Sequence, residues 1–306
     1  MAPQPARRLV PGWPPLTRPA AHLLLLLSCV WGMAAPPLCA AQDERTPQWW
    51  DAGLHVQVGY PGGFVKVGEN QYPGNHLDLH GDLGNDVIET LDFDFGYYLT
   101  PRDRFRFSLQ MFFLDGSTTL GPNDVFFNGT QLVGGTTLDT QTNFPDWFRT
   151  TALYERTLFS FLDGGTFSGR IGFTYMYLDF VLHGTIAPTS PGHESREDFK
   201  TQELPIPLLG FRLDYPYSDR IHLYGSLDGG YIPYVDSLRT EGGIVYLTQS
   251  HADLSLGVRY TWSTALSIDG GFQYTYFVQH EKSHEDNNLI ELSVPALRLG
   301  VTYRFD

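Results

Sequence analysis

The sequence predicts an all-β fold: an antiparallel up-and-down transmembrane β-barrel of about ten strands. Three observations predict it. Ten segments alternate apolar and polar residues with a period of two, the period of a strand. Their connections alternate between tight turns and long loops. Aromatic residues gather where the segments meet the tight turns.

The chain of 306 residues opens with a segment unlike the rest. Residues 1–41 carry only Arg7, Arg8 and Arg18 as formal charges, then an apolar run from Leu23, then Leu38-Cys39-Ala40-Ala41. A charged region, a short apolar region and a small-residue cleavage site read as a secretory signal cut after Ala41. Residues 42–50 are then a short periplasmic segment and 51–306 the barrel. Leu26-Leu27-Ser28-Cys29 offers a lipoprotein-like alternative on a very short apolar stretch, and Arg7-Arg8 lacks the surroundings of a twin-arginine signal. Removal of the segment takes both cysteines and moves the formal charge from −14 to −17. A chain so acidic has no basic face for nucleic acid, and one without cysteine has no disulfide or thiolate site. No stretch after residue 41 reaches the ~18 continuous apolar residues of a spanning helix.

The first alternating segment is Leu54 to Tyr60. The second, about Val87 to Leu99, sets Leu91, Phe93, Phe95 and Tyr97 against Asp92, Asp94 and Gly96. The third, Arg104 to about Leu114, sets five apolar residues against Arg104, Arg106, Ser108 and Gln110. The fourth, near 147–159, carries Arg149 and Glu155 on its polar side. The fifth, from Phe167, carries Arg170, and its pattern slips near Leu178 to Val181, which predicts a bulge. The sixth carries Arg212 and Asp214, with Pro205 and Pro207 weakening its upper end. The seventh carries His222 and Asp228, the eighth Asp253 and Arg259, and the ninth Asp269. The last, Leu297 to Asp306, sets Leu297, Leu299, Val301, Tyr303 and Phe305 against Arg298, Gly300, Thr302 and Arg304.

Tight turns at 100–103, 162–165, 217–220 and 263–264 join segments pairwise. The other connections, about 61–86, 115–146, 184–200, 236–246 and 281–289, are longer. This rhythm belongs to a barrel with both termini at its short-turn end. Trp49/Trp50, Tyr97/Tyr98, Phe159/Phe161, Tyr215/Tyr217, Tyr260/Trp262 and Tyr303/Phe305 cluster at that end, as an interfacial aromatic girdle does. Twelve strands are the alternative, if 115–146 holds a spanning pair. Val125–Phe127 and Thr130–Leu132 are short for that, since a spanning strand takes ~9–11 residues.

Signal, alternating strands, turn rhythm and C-terminal strand together resemble a small bacterial outer-membrane β-barrel, with no named subfamily. The resemblance implies a cell outer-membrane location, contact with membrane lipid and lipopolysaccharide, and a C-terminal strand read by the barrel-assembly machinery. Such barrels commonly end in an aromatic residue; here Phe305 is penultimate and Asp306 follows.

A lumen this narrow fills with side chains. The inward set is Asp92, Asp94, Arg104, Arg106, Arg149, Glu155, Arg170, Arg212, Asp214, Asp228, Asp253, Arg259, Asp269, Arg298 and Arg304. Both signs stand on adjacent strands, and Asp92 and Asp94 face Arg104 or Arg106 within cross-strand reach. A salt-bridged polar plug is the leading reading, and a charged constriction passing small solutes is the alternative. Catalysis at the outer rim ranks third. The Asp92-x-Asp94 pair is suited to orienting a water, but no Asp-x-His pair stands on an upper strand as in omptin proteases. His280-Glu281-Lys282-Ser283-His284 also lacks the His-x-Ser-Asn order of lipid A deacylases. His76, His80, His183, His193, His251, His280 and His284 gather toward the outer side, with no spacing that makes a metal site. No cofactor is called for. Asn128-Gly129 reads as a tight turn capping a hairpin above the membrane. Lys66, Lys200 and Lys282 lie where they can meet lipopolysaccharide phosphates, and the acidic stretches Asp82 to Glu89 and Glu194 to Asp198 where they can meet divalent cations. The function read from sequence is thus a structural or loop-mediated binding role.

Overall fold

The computed structural model describes residues 49–69, 72–162, 164–190, 196–201, 204–240, 244–284 and 286–305. The signal at 1–41 and all of 42–50 except Trp49 and Trp50 lie outside these residues. Ten strands form one antiparallel ring: β1 (Trp49–Gly59), β4 (Ile88–Tyr98), β5 (Asp103–Thr119), β8 (Thr137–Phe161), β9 (Gly165–His183), β11 (Ile206–Pro216), β12 (Ile221–Thr240), β13 (Ile244–Thr261), β14 (Leu266–Lys282) and β15 (Asn287–Phe305). Five short strands accompany them: β2 (Gly62–Lys66), β3 (Leu77–Asp78), β6 (Val125–Phe127), β7 (Thr130–Leu132) and β10 (Arg196–Thr201). Pairing of β1 with β15, from Trp50 opposite Phe305 to Gly59 opposite Ala296, closes the ring.

Trp49 and Trp50 begin β1 rather than ending a preceding segment. All four tight turns lie at the end of the ring where β1 starts and β15 finishes. At the other end the wall is taller than the sequence indicates. The connections read as 236–246 and 281–289 are mostly strand: β12 and β13 run to Thr240 and Ile244, and β14 and β15 to Lys282 and Asn287. β2 continues β1 along β15 in unbroken register, from Gly62 opposite Ser293 to Lys66 opposite Leu289. The interruption falls where Pro61 and Pro295 lie, two residues with no N–H to give to the ladder. β10 lengthens the wall beside β9.

The predicted slip in the fifth segment lies on its neighbour. β9 is continuous, while β8 skips register against both β5 and β9 around Phe144-Pro145-Asp146. Proline again removes a ladder donor. Pro207, expected to weaken the sixth segment, sits exposed within β11 opposite Phe173. The twelve-strand alternative fails, because β6 and β7 pair with each other and not with the ring. Asn128 and Gly129, with φ of 47° and 79°, make the tight turn between them, the positive φ pair of a two-residue hairpin loop.

That hairpin seats on the upper end of the barrel. Asn75 N donates to Phe126 O at 2.7 Å, Asn128 N to Val67 O at 3.1 Å and Ala187 N to Gln131 O at 2.8 Å. Phe127 and Leu132 are fully buried beneath it. They join a core of Val65, Val67, Leu79, Leu83, Leu114, Trp147, Leu178, Phe180 and Phe277 inside the upper wall. Phe112 and Trp147 stack there at 4.6 Å.

Over the lower wall the usual burial pattern is inverted. On β1, Leu54, Val56 and Val58 are exposed while His55 and Gln57 are buried. On β15, Leu297, Leu299 and Val301 are exposed, and on β13 Leu256 and Val258. These residues form a continuous outward belt. Below it stand the exposed rings of Trp50, Phe159, Tyr217, Trp262, Tyr303 and Phe305, and above it those of Tyr60, Phe144, Tyr231, Tyr234 and Tyr246. Ten residues separate Ile221 from Tyr231 on β12; at a strand tilt of 35–45° they rise about 25 Å, the height of a lipid-facing band. Trp49 and Tyr98, counted with the girdle in the sequence, stack on each other at 4.7 Å and line the mouth.

Candidate functional site

The barrel interior has two layers. Inward positions of the lower half are charged and polar; those of the upper half are mostly apolar, among them Ile88, Phe112, Trp147, Met176, Leu178, Ile206, Leu208, Ile232, Val245, Leu247, Ile290 and Leu292, all buried, with Gln249, Gln279 and Glu281 buried beside them. The lumen is therefore not polar throughout. The upper strand halves have apolar residues on both faces, so alternation by itself does not show which face turns inward.

In the lower layer the charges meet in pairs across the ring. Asp94, on β4, is the hub: its carboxylate lies 3.2 Å from Arg106 on β5, 2.7 Å from Arg298 on β15 and 3.2 Å from His55 Nδ1 on β1. Asp92, one turn of the period away, accepts from Gln110 at 3.2 Å and Gln57 at 3.4 Å, with Arg298 at 3.3 Å. Of the two partners expected for these acids, Arg106 takes the role, while Arg104 pairs with Glu155 at 2.5 Å. Arg170 holds Asp228 and also reaches Glu155, at 3.5 Å. Arg149 reaches Asp253 at 2.9 Å. Arg212 pairs with Asp214 two residues along β11. Asp269 accepts from His55 at 3.0 Å and from the Tyr224 hydroxyl at 3.3 Å.

Two further members of the predicted set lie toward the lower mouth. Arg304 is exposed at the lower mouth, its guanidinium 4.7 Å from the Trp49 ring centre. Arg259 has no carboxylate within ion-pair distance among the described residues; it lies over the Tyr224 ring at 5.6 Å. Two histidines belong to the layer and were missed as members of it. His55 bridges Asp94 and Asp269. His251, counted among the outer histidines, is buried beside Arg149 at 2.7 Å and Asp253 at 2.6 Å. Their signal was present: each is a polar residue at an inward position of an alternating strand. Small residues make room for the bulky ones. A Cβ on Gly300, opposite His55, would lie 1.8 Å from the imidazole, and one on Gly257, opposite Tyr224, 2.5 Å from its ring.

This packing leaves small spaces. A cavity of about 80 Å³ lies among Asp92, Asp94, Arg149, Arg170, Asp228 and Asp253, and another of about 30 Å³ around His55, Arg259 and Asp269. Such volumes hold a few waters. A wider vestibule of about 290 Å³ opens at the lower mouth.

The chemistry available follows from these contacts. His55, Asp92 and Asp94 bring ligand atoms within 4.8 Å of one another. Arg298 stands against both carboxylates, so a guanidinium takes the place a cation would need. The same engagement holds the Asp92-x-Asp94 pair in the wall of the lower lumen, away from the outer rim. A His-x-Asp pair does exist at His251 and Asp253, in the reverse of the order sought in the sequence. His251 is 2 % exposed, so no polymeric substrate reaches it. His193 lies outside the described residues, and among those described the outer histidines do not converge: His76 stacks on Phe64 at 3.7 Å, His80 accompanies Tyr60 at 4.9 Å, and His280 meets Asn287 at 3.1 Å. Asp78 and Asp82 serve local turns, accepting from the backbone of Gly81 at 2.6 Å and Asp78 at 2.9 Å.

No protein-family model matches the chain, and no curated protein matches it. Among solved structures it is similar to the translocator domain of the autotransporter NalP from Neisseria meningitidis, at 13% identity and a TM-score of 0.41, covering 94% of this chain and 96% of that one. It is similar to the outer-membrane protease OmpT from Escherichia coli at 12% identity and 0.44, covering 83% and 97%. It is similar to the toluene transporter TodX from Pseudomonas putida at 11% identity and 0.32, covering 86% and 90%. Likeness this weak says nothing of a ligand or a reaction, and the functional reading rests on the chain's own geometry.

Proposed function

We propose that the chain is an integral outer-membrane β-barrel with a sealed lumen, acting as a structural or loop-mediated binding protein. The observation that carries this is the inverted burial of the lower wall: exposed aliphatic residues outside, ion-paired charges inside. In water such a belt would be a very large exposed apolar surface. In lipid it is the ordinary exterior of a barrel. The tight turns and the mouth beside Trp49 then face the periplasm, and the tall upper wall stands outside the cell. Lipopolysaccharide is the natural neighbour of Lys66 and Lys282 at the upper strand ends, and the C-terminal strand is the segment offered to the assembly machinery. The seal supports a surface role over transport. The cavities described in the polar layer, of about 80 and 30 Å³, are water-sized, and a largely apolar core with a seated hairpin lies above it. The upper wall offers a platform for binding, since a buried apolar core lies beneath its seated hairpin.

Planar-bilayer recording tests the seal. The expected trace of the reconstituted protein shows no discrete conductance steps. Reproducible steps in the wild-type chain would favour the narrow channel instead. For comparison, deleting 121–135 removes the seated hairpin, and its effect on binding to whole cells or lipopolysaccharide reads the surface role.

A further inference from the structure

We infer that the lower vestibule is a binding site for a small oxyanion, a phosphate or a carboxylate, with Arg259 as its anchor. Side of membrane alone is taken from the proposed orientation, which makes this the periplasmic mouth.

Six other arginines of the lumen, Arg104, Arg106, Arg149, Arg170, Arg212 and Arg298, each hold a carboxylate. Arg259 holds none. Its Nε is shut off from solvent with no hydrogen-bond partner, and the residue lines both the 30 Å³ cavity and the vestibule. A guanidinium N–H withdrawn from water without a partner is costly. An anion entering from the mouth would supply that partner, and a guanidinium meets carboxylate or phosphate through two parallel hydrogen bonds.

The rest of the vestibule suits such a guest. Arg304 and His222 line it with Arg259, against one acid, Asp51. The hydroxyls of Thr261, Ser267 and Thr302 add donors. Trp49 forms one wall, fixed between Tyr98 at 4.7 Å and the Arg304 guanidinium at 4.7 Å. A space of about 290 Å³ is at the lower limit of small-molecule pockets, so the guest is a compact anion and not a glycan chain or a peptide.

The test uses the full folded chain in detergent, titrated separately with inorganic phosphate and with citrate and followed by calorimetry. Saturable binding of at least one probe is expected, and the two titrations tell phosphate from carboxylate. Arg259→Gln should weaken it roughly tenfold or more, and Arg259→Lys, which keeps the charge but loses the fork, by less. Heat-modifiable migration checks that each variant remains folded. Absence of saturable binding by both probes in the wild-type chain would overturn the site, as would undiminished affinity in a folded Arg259→Gln. Neither failure touches the membrane reading, which does not depend on this guest.

Discussion

Asp94→Ala is expected to lower the stability of the folded barrel by about 3–5 kcal/mol, the cost of removing one partner from a buried ion pair. The carboxylate faces Arg106, Arg298 and His55 at once. Its loss strands two guanidiniums in a space where the remaining acids are already engaged. Arg298 retains Asp92 at 3.3 Å, so the cost falls most heavily on Arg106, which among the described residues pairs with Asp94 alone. Adding Arg106→Met to Asp94→Ala should recover part of the loss, because it removes the charge left without its carboxylate. Urea unfolding in phospholipid vesicles, followed by tryptophan fluorescence, measures both. A loss below about 1 kcal/mol for Asp94→Ala would place the pair in the range of solvent-screened bridges. The lumen would then be wet and the seal wrong.

The second large effect concerns the outer surface. Leu256→Arg is expected to cost about 2–4 kcal/mol, whereas Tyr303→Arg, at the lower girdle, should cost no more than about 1 kcal/mol. Leu256 is half exposed and points outward from β13, six residues above Trp262. That spacing puts it close to mid-height of the belt. In water, an arginine at a half-exposed site is nearly free. In the middle of a bilayer it is not. The difference between the two variants therefore measures depth in lipid rather than general disruption, since both sites face away from the packed interior. Equal, small costs at both positions would mean that the belt does not face hydrocarbon.

Much of the ring was legible in the sequence because its physics is local. A two-residue period over Leu91 to Tyr97 or Leu297 to Phe305 fixes both the strand and the face of each side chain. Turn residues such as Thr100-Pro101-Arg102-Asp103 mark where the chain reverses. The inward charges were legible for the same reason, and so were the tight turn at Asn128-Gly129 and the count of ten.

What was not legible depends on partners far apart in the chain. Arg106 rather than Arg104 faces Asp94, and Arg298, 204 residues away, faces it too; period and spacing say nothing about such choices. His55 was visible only as a polar residue between Leu54 and Val56. The apolar upper interior was hidden because alternation fails when both faces are apolar, as in Leu178 to Leu182. There β9 is covered within and flanked by β8 and β10. The bulge was placed on the wrong strand: the slip in alternation near Leu178 to Val181 put it on the fifth segment, whereas the register skip surrounds Pro145 on β8.

The central claim is that residues from Trp49 onward close into a barrel held in a membrane. Heat modifiability tests it most directly. The membrane fraction is run on a gel unboiled and boiled, with and without prior protease. The account predicts that the unboiled protein migrates faster, and that a core from about Trp49 to Phe305 survives protease until boiled. Recovery in the soluble fraction, with no shift on boiling, would contradict it, and the exposed belt would then have to be the covered face of some other assembly.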